Sequence, residues 1–415
     1  MRKQISRGCL AAALLSSLAL PAWGEVQSIG REVKVNQRTD FKQLNPVAAV
    51  AANGRSLVVW ENDQRGLRGQ FFAADGSLSG AELTLAASDV LTAPEQRVTS
   101  RREPWAAFLA NGGFLLVWTE EVADVRSFAY IETRTVIDQD VYLQRFDAAG
   151  NPASARVRVN STAAGFQSQA RIITRGQSPA LVTWESADGG IFVRSLNANG
   201  ELLGRETRIN GAAGSVPAGA AGKTSSLIAW EAADGSEVGV FARLLDAAGQ
   251  PVGPAFRVNT DTAGRQRRPT VAAGTDGNFL VAWQGDLAIT TQSRIYAQAV
   301  GALGGLVGPQ VTLVRGVGYD VAHIAPALAP STGGHFLLSW LGWPKENSND
   351  FGMTVAEIDS LGNTISTTKV SELRVQRNFR RTSIAANGAG SYLLSWETVA
   401  ANGRQGITAR RVGAN

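Results

Sequence analysis

Ser225–Trp283, SSLIAWEAADGSEVGVFARLLDAAGQPVGPAFRVNTDTAGRQRRPTVAAGTDGNFLVAW, contains one complete copy of a unit that recurs along the whole chain. Within it, four apolar, alternating runs are separated by Gly, Asp, Asn and Pro, the mark of short antiparallel strands joined by tight turns. One unit therefore reads as a four-stranded β-meander.

The recurrence is clearest in a strand that ends in Trp: SLVVW to Trp60, FLLVW to Trp118, ALVTW to Trp184, SLIAW to Trp230, FLVAW to Trp283, FLLSW to Trp340 and YLLSW to Trp396. The spacings are 58, 66, 46, 53, 57 and 56 residues, within the period of a repeat architecture. Before these strands come small-residue runs such as Val47-Ala48-Ala49, Ala106-Ala107 and Val271-Ala272-Ala273, which suit the strand nearest a crowded axis. After them comes a third run, as in VYLQRFDAAG to Gly150 and VFARLLDAAG to Gly249, then a fourth, as in RVRVN to Asn160 and AFRVN to Asn259. Seven units of four strands predict an all-β, seven-bladed β-propeller of four-stranded antiparallel blades, one domain over residues 25–415. Gly30 to Asn36 has the character of a fourth strand with no first three before it, and the chain stops just after a third strand. The N-terminal strand is therefore expected to complete the last blade, which would remove an exposed sheet edge. The seven repeated Trp are expected in the core.

The units resemble a repeat of exported bacterial β-propeller proteins. The resemblance rests on the Trp-ending strand, on Leu143-Gln144-Arg145-Phe146-Asp147-Ala148-Ala149-Gly150-Asn151-Pro152, on Arg257-Val258-Asn259-Thr260 and on Gln266-Arg267-Arg268-Pro269. It spans nearly all of residues 25–415 and is weakest in units one and six. It implies a propeller and export, and it carries no defined activity. The Trp-Asp and Gly-His pairs of WD repeats are missing.

At the start of the chain, Arg2, Lys3 and Arg7 precede an apolar run from Cys9 to Leu20 and then Pro21-Ala22-Trp23-Gly24, the layout of a secretory signal peptide over residues 1–24. That run falls short of the roughly 20 residues of a membrane span, so no transmembrane segment is expected. The one cysteine, Cys9, opens the run instead of following it, which argues against lipidation and leaves no disulfide or cysteine–metal site after cleavage. Without Arg2, Lys3 and Arg7, 37 basic residues face 35 acidic ones, too even a balance for nucleic-acid binding.

In a propeller, a–b and c–d turns open on one face and b–c and d–a connections on the other. The first set is short here, as in Ala52-Asn53-Gly54 and Asn111-Gly112-Gly113. The long insertions, residues 86–103, 119–138, 315–325 and 341–350, all read as loops of the second set. Function is expected on that second face. Glu61, Glu185, Glu231 and Glu397 follow their Trp directly, and Arg101, Arg102, Arg267, Arg268, Arg380 and Arg381 lie near the d–a steps. A ring of interblade ion pairs is the expected role for the two sets; a ligand site would need some of these charges unpaired at the axis. The position of Gln43 and Gln266 is held by Arg101, Gln167, Gly214, His323 and Phe379 elsewhere, which suggests an asymmetric mouth. His323 also reads as a stand-in for glutamine. Trp343 lies outside the repeat and suits either a sugar platform or a loop pin.

Chemistry is sparse. The pairs Glu185/Asp188 and Glu231/Asp234 sit at Gly turns but supply too few oxygens for calcium, so hairpin turns are expected and no cofactor or metal. With two histidines and no G-x-S-x-G or H-E-x-x-H, hydrolase and zinc-protease readings lack support. The expectation is a non-catalytic, monomeric binding or scaffold protein of the bacterial envelope or exterior. It would engage an acidic polysaccharide or protein surface through Gln266, Arg267, Arg268, His323, Trp343, Arg380 and Arg381. The alternative is a polysaccharide hydrolase or lyase using carboxylates among Glu120, Glu121, Asp138 and Asp140.

Overall fold

The computed structural model describes residues 26–413 apart from 40, 64–65, 88, 92–95, 129–130, 163–164, 177, 287–292, 316–325, 343–351, 372–380 and 400–402. It is an all-β propeller of four-stranded antiparallel blades laid out along the repeat, with a fifth strand added in the second unit. In the fourth unit, Gly214–Ala221, Ser225–Ala232, Gly239–Asp246 and Pro251–Arg257 pair in that order. In the fifth, Arg265–Ala273, Phe279–Asp286, Ser293–Val300 and Leu306–Arg315 do the same. Among the described residues, the sheets of the third and fourth units are hydrogen-bonded to each other through one parallel bridge, Arg175 to Ala221. At the ends of the chain, Gln27–Lys34 pairs antiparallel with Gln405–Gly413, with Ser28 opposite Val412 and Val33 opposite Ala409.

Apolar faces of neighbouring sheets meet in discrete clusters. One packs Leu227, Val240 and Val258 of the fourth unit against Phe279, Val281 and Trp283 of the fifth. Another packs Val58, Trp60 and Phe72 of the first unit against Leu393, Ile407 and Ala409 of the seventh. The repeated Trp residues are all buried. Several stack on an aromatic of the third strand, as Trp184 does on Phe192 at 5.8 Å between ring centroids. A buried indole still needs a partner for its N–H. Gln43, Gln167 and Gln266 supply it, accepting from Trp60, Trp184 and Trp283 at 2.6, 3.1 and 2.8 Å.

Two further repeat signatures have a local cause. In the D-A-A-G turn, Asp147 Oδ1 accepts from the amides of Ala149 and Asn151 at 2.9 and 2.8 Å, and Asp246 does the same for Ala248 and Gln250. The glycine that closes the turn takes a positive φ; at Gly150 (φ +92°) a Cβ would also sit 2.6 Å from Leu83. The V-N step places Asn160, Asn210 and Asn259 in the core, where each Oδ1 accepts from a third-strand amide (Val141, Ile191, Val240) at 2.7–2.9 Å.

The insertions expected as loops in the second unit are strands. Phe114–Phe128 and Ile131–Phe146 run on as one long hairpin, pairing Glu120 with Asp140 and Phe128 with Ile131. Asp89–Leu91 adds to Gln96–Phe108 beside it. Cross-strand charge explains the extension: Arg97 pairs with Asp124 at 3.1 Å, and Arg134 with Glu121. Residues 343–350 and 316–325, read as loops above, lie outside the described residues.

Candidate binding site at the mouth of the axial cavity

The first strands of the units neighbour one another in chain order, and Gln43–Val50 also neighbours Thr382–Ala386. They surround a cavity of about 950 Å³. Its wall is mostly small or apolar, as the Ala and Val runs require, and its charge is concentrated at the end where these strands begin.

A repeated distortion builds that mouth. Asn45, Glu103, Gln169, Val216 and Arg268 occupy the same repeat position, all with φ between +52° and +54°. This left-handed conformation is costly for residues other than glycine, most of all for branched Val216. The strand register slips at each, as between Arg102 and Trp105 or Arg267 and Thr270, so each is a β-bulge. Backbone strain persists where surrounding contacts hold it, and here the contact is a carboxylate from the preceding unit. Glu397 accepts from the Asn45 amide at 2.7 Å, Glu61 from Glu103 at 2.6 Å, Glu185 from Val216 at 2.6 Å and Glu231 from Arg268 at 2.7 Å. Where Thr119 replaces the post-Trp glutamate, Glu103 itself accepts from the Gln169 amide at 2.8 Å and from the Thr119 hydroxyl at 2.9 Å.

This arrangement corrects the expected ring of glutamate–arginine ion pairs. The glutamates latch one unit to the backbone of the next with charge-assisted hydrogen bonds. The nearest arginine contact of that set at the mouth, Arg381 to Glu103, is 3.9 Å long. Arg101 is drawn into the sheet by Glu120 at 3.2 Å, and Arg102 lies 3.7 Å from Glu121. The side chains of Arg267 and Arg268 make no hydrogen bond or ion pair among the described residues, and Arg268 Nη1 is buried without a partner. Both line the cavity, as does Arg381. Burial pulls the Arg268 pKa below its usual value; the Glu231 carboxylate opposes that shift, and Arg381 and Arg267 nearby add to it.

Of the remaining expected site residues, Gln266 does not face the cavity. It is buried, with Oε1 on the Trp283 indole and Nε2 donating to the Ala263 carbonyl at 3.0 Å, so its amide serves the core. His323, Trp343 and Arg380 lie outside the described residues. Sequence reasoning missed Arg171, which lines the cavity with its guanidinium 5.1 Å from the Trp105 ring centroid. The signal was present. Arg171 and Trp105 occupy a position that is Val47, Ala218, Thr270, Ala327 and Ser383 in the other units, so they are the two large side chains in an otherwise small set.

Three of the four carboxylates weighed for catalysis are engaged elsewhere, and the fourth, Asp138, is exposed and accepts from the Gln139 amide. Glu120 is clasped by Arg101 and Arg156, Glu121 by Arg134, and Asp140 accepts from Asn160 at 2.6 Å. None of them borders the cavity. Among the described residues, no cluster of His, Cys, Asp or Glu could hold a metal ion, and no helix is long and apolar enough to cross a membrane.

The latch carboxylates predict a pH dependence. Burial raises the pKa of Glu61 and of Glu231 above the 4.5 usual for a glutamate. A raised acid favours the folded state when protonated, so its contribution is full below 4.5 and declines as pH rises through the raised value. The Tm advantage of wild type over Glu61→Gln should therefore be larger at about pH 5 than at pH 7.5. Melting curves of both proteins at the two pH values check this, and an advantage that grows toward neutral pH contradicts it.

No known protein-family profile matches the chain. No curated protein is similar to it in sequence. Solved structures share the fold. A lectin from Burkholderia pseudomallei is 14% identical, covers 89% of this chain and 96% of its own, and superposes with a TM-score of 0.53. A polysaccharide lyase, an ulvan lyase bound to a GlcA(1-4)Rha3S repeat, is 10% identical over 92% of this chain and 96% of its own, with a TM-score of 0.56. A protein of unknown function from Dyadobacter fermentans is 12% identical over 94% of this chain and 100% of its own, at 0.53. Identities this low carry the propeller fold and nothing finer.

Proposed function

We propose that residues 25–415 form one exported, seven-bladed propeller, closed by Gln27–Lys34 as the outer strand of the last blade, that binds an acidic polysaccharide or an acidic protein surface without catalysis. The pairing of Gln27–Lys34 with Gln405–Gly413 and the cluster joining the first unit to the seventh support the closed ring. Export to the bacterial envelope or exterior rests on the leader-like composition of residues 2–24. The protein acts as a monomer.

One observation carries the binding reading: at the cavity mouth the glutamates are committed to backbone amides, while the Arg267 and Arg268 side chains feel the Glu231 charge but have no hydrogen-bonded carboxylate among the described residues. Guanidinium groups held this way suit carboxylate, sulfate or phosphate through paired hydrogen bonds. Carbohydrate is the favoured ligand class because a lectin and an ulvan lyase use the same fold. Those neighbours also make the enzyme reading the one to exclude. The engagement of Glu120, Glu121 and Asp140 in the sheet weighs against it.

The test is a panel of bacterial and plant glycans, assayed once for binding and once for release of product. Binding of acidic glycans with no product is the expected result. Turnover that Glu120→Gln abolishes would replace the binding reading with the enzymatic one.

A further inference from the structure

Three arginines from alternate units converge on the cavity mouth: Arg171 from the third, Arg268 from the fifth and Arg381 from the seventh. Each is partly buried. The Arg171 side chain makes no hydrogen bond or ion pair among the described residues, and its one contact of note is the face of Trp105. Arg268 Nη1 is buried and unpartnered, and the nearest carboxylate oxygen to Arg381 is 3.9 Å away on Glu103. Glu103 in turn is taken up by the Gln169 amide and the Thr119 hydroxyl. Withdrawing cations from water without pairing them is unfavourable. The three also act on one another: burial and then the charge of Arg381 bring the Arg171 pKa down to about 10 against the opposing pull of Glu103 and Glu185, and Arg381 lowers Arg268 as well, against Glu231. A site that concentrates positive charge, leaves its donors open and shields it from solvent has the makings of an anion receptor.

We propose that the mouth contains a primary subsite for one oxyanion-bearing sugar residue, whose carboxylate or sulfate is held jointly by Arg171, Arg268 and Arg381. Trp105 is a positioning residue: its ring holds the Arg171 guanidinium over the cavity by cation–π contact and does not itself take up the anion. The inference rests on the glycan-binding reading and deepens it, by moving the decisive contact from the loops into the cavity wall and by assigning it to a residue of the third unit. The small side chains that occupy the Arg171 position elsewhere leave the room the sugar requires.

Four ligands separate the possibilities: a glucuronate-containing oligosaccharide, a sulfated oligosaccharide, an uncharged oligosaccharide of equal length, and free glucuronate or inorganic sulfate. Calorimetric titration should show Arg171→Gln weakening whichever charged oligosaccharide binds by about tenfold or more, the loss of one charge-assisted hydrogen-bonded contact. Binding of the uncharged one should be unaffected. Trp105→Phe should bind within about threefold of wild type and Trp105→Leu should resemble Arg171→Gln, since only the former keeps an aromatic face. Without ligand, Arg171→Gln should melt no lower than wild type, because it removes a buried charge that has no hydrogen-bonded counter-ion; a purely structural arginine would lower the Tm. Free glucuronate or sulfate should raise the Tm of wild type but not of Arg171→Gln. If charged oligosaccharides bind wild type and Arg171→Gln equally well, the subsite is overturned and the glycan-binding reading stands. If no oligosaccharide binds but the free anion still stabilises only wild type, the subsite stands and the polysaccharide reading falls.

Discussion

Deletion of residues 25–38 is expected to lower the Tm of the whole domain by roughly 10 °C or more, or to leave it insoluble. The segment supplies the outer strand beside Gln405–Gly413 and buries Val26 and Val35 completely or nearly so. Each such side chain contributes roughly 1.5–3 kcal/mol. Asn36 adds a buried hydrogen bond from the Ile407 amide at 2.8 Å and donates to the Arg38 carbonyl at 2.6 Å. Losing the strand also bares the Gln405–Gly413 edge, a template for aggregation. In a closed ring the damage spreads, because the last sheet packs on the first through Trp60, Phe72 and Leu393. A truncated protein that keeps the Tm of the intact one would mean that the ring is not closed this way.

Trp283→Ala should cost about 3–5 kcal/mol, seen as a lower denaturant midpoint with an unchanged slope. Trp283 is fully buried between the fourth and fifth units, stacks on Tyr296 at 6.0 Å and donates to Gln266. Truncation opens a cavity and strands the Gln266 amide oxygen without its partner. A loss below about 1 kcal/mol would show that the indole is dispensable to the interface between units, contrary to the packing described.

How far the residues foretold this architecture follows from where the repeat is faithful. The Trp strand, the D-A-A-G turn and the V-N step each satisfy a local requirement, so their meaning was legible without tertiary information. Gln266 shows the limit. Its repetition with Gln43 and Gln167 marked it as important, but only the structure shows that the partner is an indole 17 residues on. The post-Trp glutamates were misread for a related reason. Charge invites pairing with charge, whereas the true partner is a backbone amide exposed by a bulge, and no side chain announces a bulge. The proline after Asn45, Glu103, Val216 and Arg268 was its one trace. The hairpin of the second unit looked like a loop because charged residues on its two strands, such as Glu121 and Arg134, interrupt a short buried apolar face of Ala123 and Val125. Arg171 was legible in principle, as a large cation in a column of small residues.

In the proposed function the arginine-bearing mouth is the binding surface and works through charge. The most direct measurement is a titration of an acidic polysaccharide into wild type, Arg267→Ala/Arg268→Ala and Asn111→Asp, each at low and at high salt. Wild type should bind more weakly as salt rises, the double variant should lose most of its affinity while its melting curve persists, and Asn111→Asp, on the short-turn face, should match wild type. Equal binding by the double variant, or loss of binding in Asn111→Asp, would contradict it.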